Sequence, residues 1–457
     1  MRGLFYNIEY SLSKYTSNSQ PLSEWAEHCF EMFISKEVIM INTKIIGPFT
    51  QLLTMDNLPL KGSLNDSQLE IIPQGGMVVS DGKILETGNF EHLLTRFGDQ
   101  QNFVERIEID MVAMPGMIDP HTHICWAGSR AKDYALRLAG KSYPEIAKSG
   151  GGIAETVAKT RAASVAELEA LLTERASNHL RSGITTIEVK SGYCLNPEGE
   201  AKLLEVIRKV NEMLPVDLIP TCLAAHIRPP DFNGSSYDYL EIMLNELLPE
   251  VRRLRLANRV DIYIDNGAFT PDEAKVYLKH AKNMGFDLVI HGEQFSAGGV
   301  SLACELGARS VDHLEIIKDN EINLLAASNV IPVVLPGASL GLGCGFAPSR
   351  KLLDAGCSLA IGSDWNPGSA PMGNLLMQTA ILGIFEKMTM AESLAGITFR
   401  AALALGLTDR GVLKKGSLAD FIGFPAADWR EILYNQGSLK PSMVWKRGEK
   451  MKNSNYI

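Results

Sequence analysis

The stretch PGMIDPHTHICWAGSR, residues 115–130, contains the side chains best suited to binding a metal ion. His121 and His123 stand two positions apart and follow a short apolar run. Side chains two positions apart on a strand point to the same side, so we expect both imidazoles to face one space. Imidazole is a good ligand for zinc and iron, and an open site leaves room for a water. The alternative is a pair of surface histidines on an edge strand, and the rest of the chain decides between the two.

The composition restricts the class of protein. The chain of 457 residues is 46% hydrophobic and 21% charged, which is typical of a soluble globular protein with one large domain and a smaller one. Its net charge of −9 argues against nucleic acid or an anionic membrane surface as the main partner. The seven cysteines contain no Cys-x-x-Cys pair, which favours reduced thiols in the cytoplasm. We find no secretory signal and no apolar run of membrane-spanning length.

The two ends of the chain have the pattern of short strands joined by turns. Ser80-Asp81-Gly82-Lys83 separates two alternating runs and predicts a hairpin, and Lys446-Arg447-Gly448-Glu449 predicts a second turn near the far end. We therefore expect residues 40–114 and 411–457 to form one small β-sandwich. Residues 1–39 read as an extension of unknown role with a short helix at 23–33, and Met40 is an alternative start of the protein.

Between these ends, strand-like runs alternate with helical periodicity. The candidate strands are 117–124, 184–190, 218–226, 260–265, 287–291, 310–313, 331–335 and 358–364, and the clearest helices are 165–182, 197–213, 237–256 and 271–284. Eight strands alternating with helices predict a (β/α)8 TIM-like barrel over residues 115–410. A doubly wound sheet would need a glycine-rich loop after an early strand, and the glycines at 150–152 lie between helix-like segments instead.

Catalytic residues of such a barrel stand at the carboxyl ends of its strands. Five of the nine histidines and one aspartate fall at these positions: His121, His123, His226, His291, His313 and Asp364. Two histidines from the first strand, His291 and Asp364 predict a site for one metal ion, and this ligand set does not separate zinc from iron. An aspartate beside a metal-bound water can also carry its proton. The remaining histidines are expected on the surface or in packing positions: His28, His92, His179 and His280.

Further motifs make the pattern specific. They are GGGI at 150–153, KSGYCL at 190–195, AAH at 224–226, HGEQ at 291–294, VDHLE at 311–315 and GSDWNPGS at 362–369. With the histidine stretch, they resemble the imidazolonepropionases, cyclic amidohydrolases of histidine degradation, from about Met40 to the end of the chain. The His-x-His, the later His and the Asp are common to the amidohydrolase superfamily. The HTH…AGSR, SGY and SDWNPGS motifs narrow the resemblance to this family.

The resemblance implies a reaction and a role for each residue. The reaction is hydrolysis of the ring C–N bond of 4-imidazolone-5-propanoate, giving N-formimidoyl-L-glutamate, with one divalent ion, zinc or iron, in a cytoplasmic enzyme that family analogy makes a homodimer. The implied metal ligands are His121, His123, His291 and Asp364; Asp364 also moves the proton, and His313 stabilises the oxyanion or orients the water. The implied substrate contacts are Arg130 to the propionate, Tyr193, His226 and Gln294 to the substrate, and Asn366, Gly368 and Ser369 to the ring or the product.

The sequence also departs from its relatives and leaves alternatives open. Gln294 stands where many relatives carry a glutamate, and a neutral amide cannot act as a base. Glu293 is adjacent, but we expect its side chain to face the other way. A related deaminase of a purine- or pyrimidine-like heterocycle would use the same metal ligands, would not need Arg130 and would release ammonia. A catalytically silent barrel that serves as a scaffold would not need the metal residues.

Overall fold

The computed structural model describes residues 43–98, 102–141, 145 and 150–451. The expected extension 1–39, its helix and the alternative start at Met40 lie outside the described residues. None of the helices in the described ranges has the length and apolar character needed to cross a membrane. The described strands form two sheets of eight strands each, one parallel and one mixed.

The parallel sheet is the predicted (β/α)8 barrel. Its strands follow one another in chain order: β6 Met117–Asp119, β7 Ile184–Lys190, β8 Asp217–Ala225, β9 Arg259–Tyr263, β10 Asp287–Gly292, β11 Ser310–His313, β12 Ile331–Val334 and β13 Ala360–Ile361. Most of these positions are buried, because helices cover the outside and side chains fill the inside. The first and last strands are shorter than predicted, so His121, His123 and Asp364 stand just beyond their carboxyl ends.

Most of the helices cover the barrel, and the first helix packs on the mixed sheet. Their bounds are α1 Phe90–Phe97, α2 Ala131–Leu138, α3 Ile153–Ala162, α4 Val165–Arg181, α5 Pro197–Met213, α6 Ser236–Ile242, α7 Leu248–Arg253, α8 Pro271–Asn283, α9 Gly299–Leu306, α10 Asp319–Ala327, α11 Pro336–Leu342, α12 Ser349–Asp354, α13 Leu375–Phe385, α14 Met390–Gly396, α15 Phe399–Ala404 and α16 Glu431–Tyr434. Side chains of Ser164, Asn196 and Thr270 accept from the first turns of α4, α5 and α8, which explains why these helices begin where the sequence predicts.

One predicted helix is divided. The sequence predicts a single helix over 237–256, whereas the structure has α6 and α7 joined by a π-helical segment, Met243–Leu247. Pro249 has no backbone N–H, and its ring clashes with the carbonyl four residues earlier in an α-helix. The wider π turn directly before it removes that clash.

The barrel closes through backbone bonds made by the site residues themselves. The N–H of Asp364 donates to the His121 carbonyl at 3.0 Å, and the N–H of His123 donates to the Trp365 carbonyl at 3.0 Å. The side chain of Asp119, the last residue of β6, adds a further bond, since its Oδ1 accepts from the Ser363 N–H at 3.0 Å. The same hydrogen bonds therefore close the barrel and bring the ends of the first and eighth strands together.

The mixed sheet combines both ends of the chain, as predicted. It contains β1 Lys44–Leu53, β2 Ile71–Ser80, β3 Lys83–Asn89, β4 Phe103–Arg106, β5 Val112–Pro115, β14 Phe421–Phe424, β15 Met443–Lys446 and β16 Glu449–Lys450. The two pieces join where β5 pairs antiparallel with β14. Both predicted hairpin turns are present, and Asp81, Gly82, Arg447 and Gly448 have the positive φ angles that two-residue turns of this kind require.

The mixed sheet curls around its own core. β5 and β14 separate β1 from β15, so in a flat sheet these two strands would lie about 14 Å apart. The ring centroids of Phe49 on β1 and Trp445 on β15 are nevertheless 6.0 Å apart, and Phe421 stacks on Trp445 at 4.5 Å. The two halves of the sheet thus face each other across an apolar core, which is the sandwich-like packing expected from the sequence.

Asp217, the first residue of β8, links the barrel to the mixed sheet. Its carboxylate accepts from Lys446 Nζ at 2.7 Å, from Arg410 Nη1 at 2.5 Å and from Arg447 Nη2 at 3.0 Å. Burial alone would raise the pKa of Asp217, but these cations, Lys446 first, outweigh it and lower the pKa. This ionic cluster lies at the amino ends of the barrel strands, opposite the end that carries the histidines.

Candidate active site

Three imidazoles and one carboxylate meet at the carboxyl end of the barrel. His121 Nε2 lies 3.3 Å from His123 Nε2, which lies 3.4 Å from His291 Nε2. Asp364 Oδ1 lies 3.5 Å from His121 Nε2 and 3.4 Å from His123 Nε2. All four side chains are almost completely buried. The structure therefore brings the four predicted metal ligands together.

The spacing of these atoms fits a small divalent ion. Two ligand atoms that each lie about 2.1 Å from a tetrahedral zinc ion are about 3.4 Å apart, which matches the four distances given above. Among the described residues, His121, His123 and His291 form a group whose ligand atoms all lie within 4.8 Å of one another. Asp364 Oδ1 approaches this group at His121 and His123. The donor set of nitrogen and oxygen suits zinc and iron alike.

The histidines are held in the uncharged form that metal ligation needs. Burial lowers the pKa of His123 and of His291 to about 3, and that of His121 well below its ordinary value. The buried Lys190 cation adds to this lowering in each case. Neutral imidazoles present a lone pair, so these residues are ready to bind a cation near neutral pH.

Two buried aspartates orient two of the histidines from behind. Asp312 Oδ2 lies 2.6 Å from His121 Nδ1, and Asp261 Oδ1 lies 3.0 Å from His291 Nδ1. Each bond places the proton on Nδ1, so that Nε2 presents its lone pair to the centre of the site. Neither aspartate was predicted from the sequence.

In the loop after the eighth strand, hydrogen bonds within the loop surround the Asp364 side chain. Asn366 Nδ2 donates to Asp364 Oδ2 at 2.9 Å and to Ser369 Oγ at 2.9 Å. Asn366 Oδ1 accepts from the N–H groups of Gly368 and Ser369 at 2.7 and 2.9 Å. Burial raises the pKa of Asp364, which makes it a better proton acceptor. The residues predicted to contact the ring or product thus also fix the orientation of Asp364.

His313 stands beside the ligand cluster with a carboxylate behind it. Its ring centroid lies 5.4 Å from that of His291 and 5.9 Å from that of His121. Glu315 Oε1 lies 3.4 Å from His313 Nδ1 and accepts from Ser339 Oγ at 3.3 Å. Burial would lower the pKa of His313, but the Glu315 carboxylate outweighs it and raises the pKa. A protonated imidazole at this place can stabilise negative charge on a substrate oxygen.

Tyr193 and His226 form an aromatic wall beside His123. The His226 ring stacks on that of His123 at 5.4 Å, and the Tyr193 ring lies 5.6 Å from His226. His226 Nδ1 lies 3.0 Å from the Gly192 carbonyl, an acceptor, so the proton resides on Nδ1 and Nε2 is an acceptor. Burial lowers the pKa of His226 to about 3, which keeps the ring neutral.

Arg130 is held at the start of α2 beside the loop that carries Asp364. Its Nε donates to Asp133 Oδ2 at 2.8 Å, and its side chain is 12% exposed. A Cβ atom at position 368 would lie 2.5 Å from Arg130 Nη1, so the guanidinium packs directly on Gly368. Asp133 also accepts from the Gly152 N–H at 2.8 Å, which links the GGGI motif to this arginine.

Gln294 is bonded to a residue that sequence reasoning missed. Tyr263, at the end of β9, donates its hydroxyl proton to Gln294 Oε1 at 2.8 Å, and its ring lies 5.8 Å from that of His291. The Gln294 amide therefore has its NH2 group left to donate. Glu293 turns away, as expected, and accepts from the N–H groups of Gly298 and Val300 at 2.8 to 3.0 Å.

The missed residues share a sequence signal. Glu188 and Lys190, Asp261 and Asp312 are charged residues inside short apolar strands, where an unpaired charge would be costly. Asp261 and Tyr263 are two positions apart on β9, so they point to the same side of the strand. His179 is buried as a packing residue, with Nε2 3.1 Å from Asp119 Oδ2, whereas His92 and His280 are exposed.

The chain is similar to a known family of hydrolases over most of its length. The model of the amidohydrolase family matches residues 112–451. The imidazolonepropionase of Bdellovibrio bacteriovorus is 36% identical over 411 residues, which cover 89% of this chain and 96% of the relative. That of Deinococcus radiodurans is 41% identical over 339 residues, which cover 74% of this chain and 84% of the relative.

Solved structures share the fold at low identity. A triazine hydrolase variant superposes with a TM-score of 0.66 at 16% identity, covering 90% of this chain and 95% of its own. An adenosine deaminase from Xanthomonas campestris with bound zinc superposes with a TM-score of 0.64 at 17% identity, again covering 90% and 95%. At these identities the likeness shows the fold alone.

Proposed function

The chain belongs to the amidohydrolase family and, within it, to the imidazolonepropionases, and from this membership we propose how its residues perform the reaction. It is a hydrolytic enzyme that opens the ring of 4-imidazolone-5-propanoate in histidine degradation. The observation that carries the residue roles is that His121, His123, His291 and Asp364 meet at the carboxyl end of the barrel, where neighbouring ligand atoms lie 3.3–3.5 Å apart.

The three histidines and Asp364 would hold one divalent ion, which we propose is zinc or iron. An ion held there lowers the pKa of a bound water towards neutrality and so supplies a nucleophile. The histidines contribute neutral donors, since burial keeps their pKa values low. A chlorohydrolase of the same fold was solved with zinc, which supports a divalent ion and leaves its identity in this chain a proposal.

Asp364 moves the proton in the proposed reaction. The oxygen of the attacking water bonds to the ring carbonyl carbon, and Asp364 accepts the water proton. The C–N bond then breaks, and Asp364 passes the proton to the departing ring nitrogen, giving N-formimidoyl-L-glutamate. Asn366 and Ser369 hold Asp364 Oδ2, which keeps the carboxylate in one orientation through both transfers.

His313 stabilises the charge that develops on the carbonyl oxygen of the substrate. Its raised pKa, caused by Glu315, favours the protonated form that donates to an oxyanion. Gln294 cannot act as a base and instead donates to the ring, because Tyr263 occupies its carbonyl oxygen. The base in this chain is therefore Asp364.

Arg130, Tyr193 and His226 orient the substrate. A guanidinium binds a carboxylate through two parallel hydrogen bonds, so Arg130 grips the propionate tail. His226 Nε2 accepts from a ring N–H, because its Nδ1 is engaged with Gly192. Fixing both ends of the substrate turns attack into an oriented, effectively unimolecular step.

Replacing Arg130 tests this function against the deaminase alternative. Arg130→Gln removes the charged bonds to the tail, so kcat/KM on 4-imidazolone-5-propanoate should fall about 10- to 100-fold, mostly through KM. Arg253→Gln is the control, since Arg253 is a 66% exposed surface arginine. An Arg130→Gln enzyme with full activity, or parent enzyme that releases ammonia from aminated heterocycles and ignores the imidazolone, would overturn the proposal.

Three broader proposals accompany the mechanism. We propose a division into a mixed-sheet domain from residues 40–114 and 411–457 and a barrel domain from 115–410, supported by the pairing of β5 with β14.

We propose a homodimer on family analogy, which sedimentation of the purified chain tests. We propose a cytoplasmic location, supported by buried thiols such as Cys125, Cys194 and Cys222 that stand unpaired within a densely packed barrel.

A further inference from the structure

Behind the candidate metal site lies a fully buried lysine. Lys190, the last residue of β7, has no exposed surface. Its Nζ donates to Glu188 Oε1 at 2.7 Å and to Asp261 Oδ2 at 2.8 Å, and lies 3.8 Å from Asp312 Oδ2. These three carboxylates are themselves buried and come from three different barrel strands, β7, β9 and β11.

Each carboxylate supports a different part of the metal site. Asp261 holds Nδ1 of His291 at 3.0 Å, and Asp312 holds Nδ1 of His121 at 2.6 Å. Glu188 Oε2 accepts from the N–H of Thr122, which lies between the two histidines of the first strand, at 3.2 Å. The N–H of Lys190 itself donates to the Thr122 carbonyl at 3.0 Å.

Lys190 places a buried cation among these carboxylates. Buried carboxylates that lie close together repel one another and are stable only when a cation or hydrogen bonds compensate them. Lys190 Nζ lies between Asp261 and Asp312, so it compensates the two groups that orient His291 and His121. Without it, the aspartates would separate, and the histidine rings bonded to them would turn with them.

We propose that Lys190 is a positioning residue that sets the affinity of the chain for its divalent ion, by holding Asp261 and Asp312 where they orient His291 and His121. This inference rests on the proposed metal site. Residues that support metal ligands from behind typically contribute 10- to 100-fold in metal affinity.

The chain offers a matched control. Lys446 on β15 is also a buried lysine, and it also bonds two aspartates, Asp217 and Asp420. It lies at the opposite end of the barrel, where the mixed sheet meets the strands. Removing either ammonium group leaves buried carboxylates without a partner and so lowers the stability of the folded chain. Only Lys190 of the two lies beside Asp261 and Asp312, which orient the proposed metal ligands.

The test compares zinc affinity in full-length Lys190→Met and Lys446→Met, measured by competition with a chromophoric chelator after metal removal. We expect zinc to bind Lys190→Met about 10- to 100-fold more weakly than the parent, and Lys446→Met within about twofold of it. Lys190→Arg should restore affinity to within about threefold, because it keeps the charge. If Lys190→Met does not fold, Lys190→Met/Glu188→Gln, which removes one uncompensated carboxylate, replaces it with the same expectation.

The outcomes separate this inference from the metal site itself. The metal site is supported if the parent chain binds one zinc ion and the His291→Ala variant binds none. If Lys190→Met then binds zinc as tightly as the parent, or no more weakly than Lys446→Met, the role of Lys190 is overturned and the site stands. A parent chain without stoichiometric zinc would overturn both the site and the role of Lys190.

Discussion

Most of the side chains that have a role in the proposed reaction have their second polar atom already engaged. His121 and His291 use Nδ1 towards aspartates, and His226 uses it towards a carbonyl, so each presents Nε2 to the site. Asp364 has Oδ2 held by Asn366 and presents Oδ1. Fixing the far atom of each group reduces the reorganisation needed when substrate binds.

Asp364 is the residue whose loss should affect chemistry most. Asp364→Asn cannot accept a proton and is a poorer metal ligand, so kcat should fall at least about 100-fold. Steady-state kinetics on 4-imidazolone-5-propanoate with excess zinc measures this. Asp319→Asn is the control, since Asp319 is 81% exposed on the surface, and it should keep parental kcat. Parental turnover in Asp364→Asn would remove the aspartate from the proposed proton route.

Tyr263 should act through Gln294. Tyr263→Phe removes the bond that fixes the Gln294 amide, so KM should rise about two- to tenfold while kcat changes little. Gln294→Ala should raise KM as well, and the double variant should be no worse than Gln294→Ala, because both changes remove one interaction. Strictly additive effects in this double-mutant cycle would mean that the two residues act independently.

The proposed ligands could be selected from the sequence because they are histidines and an aspartate at strand ends. Their supports could not, because Asp261, Asp312 and Lys190 are common residue types that gain their role through contacts between different strands. A charged residue inside an apolar strand is a signal that it is paired, but the sequence does not identify the partner. The bond between Tyr263 and Gln294 likewise joins residues 31 positions apart.

Among the secondary-structure elements, the order of strands and helices was predictable, and the bounds of most barrel strands were too, but the first and eighth strands are shorter than predicted. β7 and β11 match their predicted bounds, because each is bounded by clear turn or helix signals. The first strand was predicted to reach residue 124, but regular pairing ends at Asp119, and the histidines follow in irregular backbone. There Thr122 keeps one isolated bridge, to Trp365, and this closing contact between chain positions 243 residues apart has no local signature.

The ionic link between β8 and the mixed sheet should make stability depend on acid. The pKa of Asp217 is lowered in the folded state, so its contribution is fully present above its unfolded pKa of about 3.9 and is lost as pH falls through the lower folded value. Melting temperatures of the parent and Asp217→Asn between pH 7 and pH 3 should differ by several degrees at neutral pH, and the difference should begin to shrink only below about pH 4. A constant difference across this range would contradict the link.

At the scale of the whole molecule, metal binding and stability should be coupled. The barrel closes through the backbone of His121, His123 and Asp364, so an ion bound by their side chains ties the first strand to the eighth. Zinc at about 100 times its Kd should add about 2.7 kcal/mol to the free energy of unfolding. Chelator-treated protein should therefore melt several degrees lower than zinc-loaded protein, and His291→Ala should melt at one temperature in both conditions. Identical curves for the parent would count against an ion at this seam.

We propose that this barrel opens an imidazolone ring with a metal-activated water. The most direct measurement incubates metal-replete and chelated enzyme with freshly prepared 4-imidazolone-5-propanoate, follows the loss of ring absorbance and identifies the product by mass spectrometry. We predict N-formimidoyl-L-glutamate without ammonia from the metal-replete enzyme, and an intact ring with the chelated enzyme. An intact ring in the presence of enzyme that holds one ion per chain would contradict the claim.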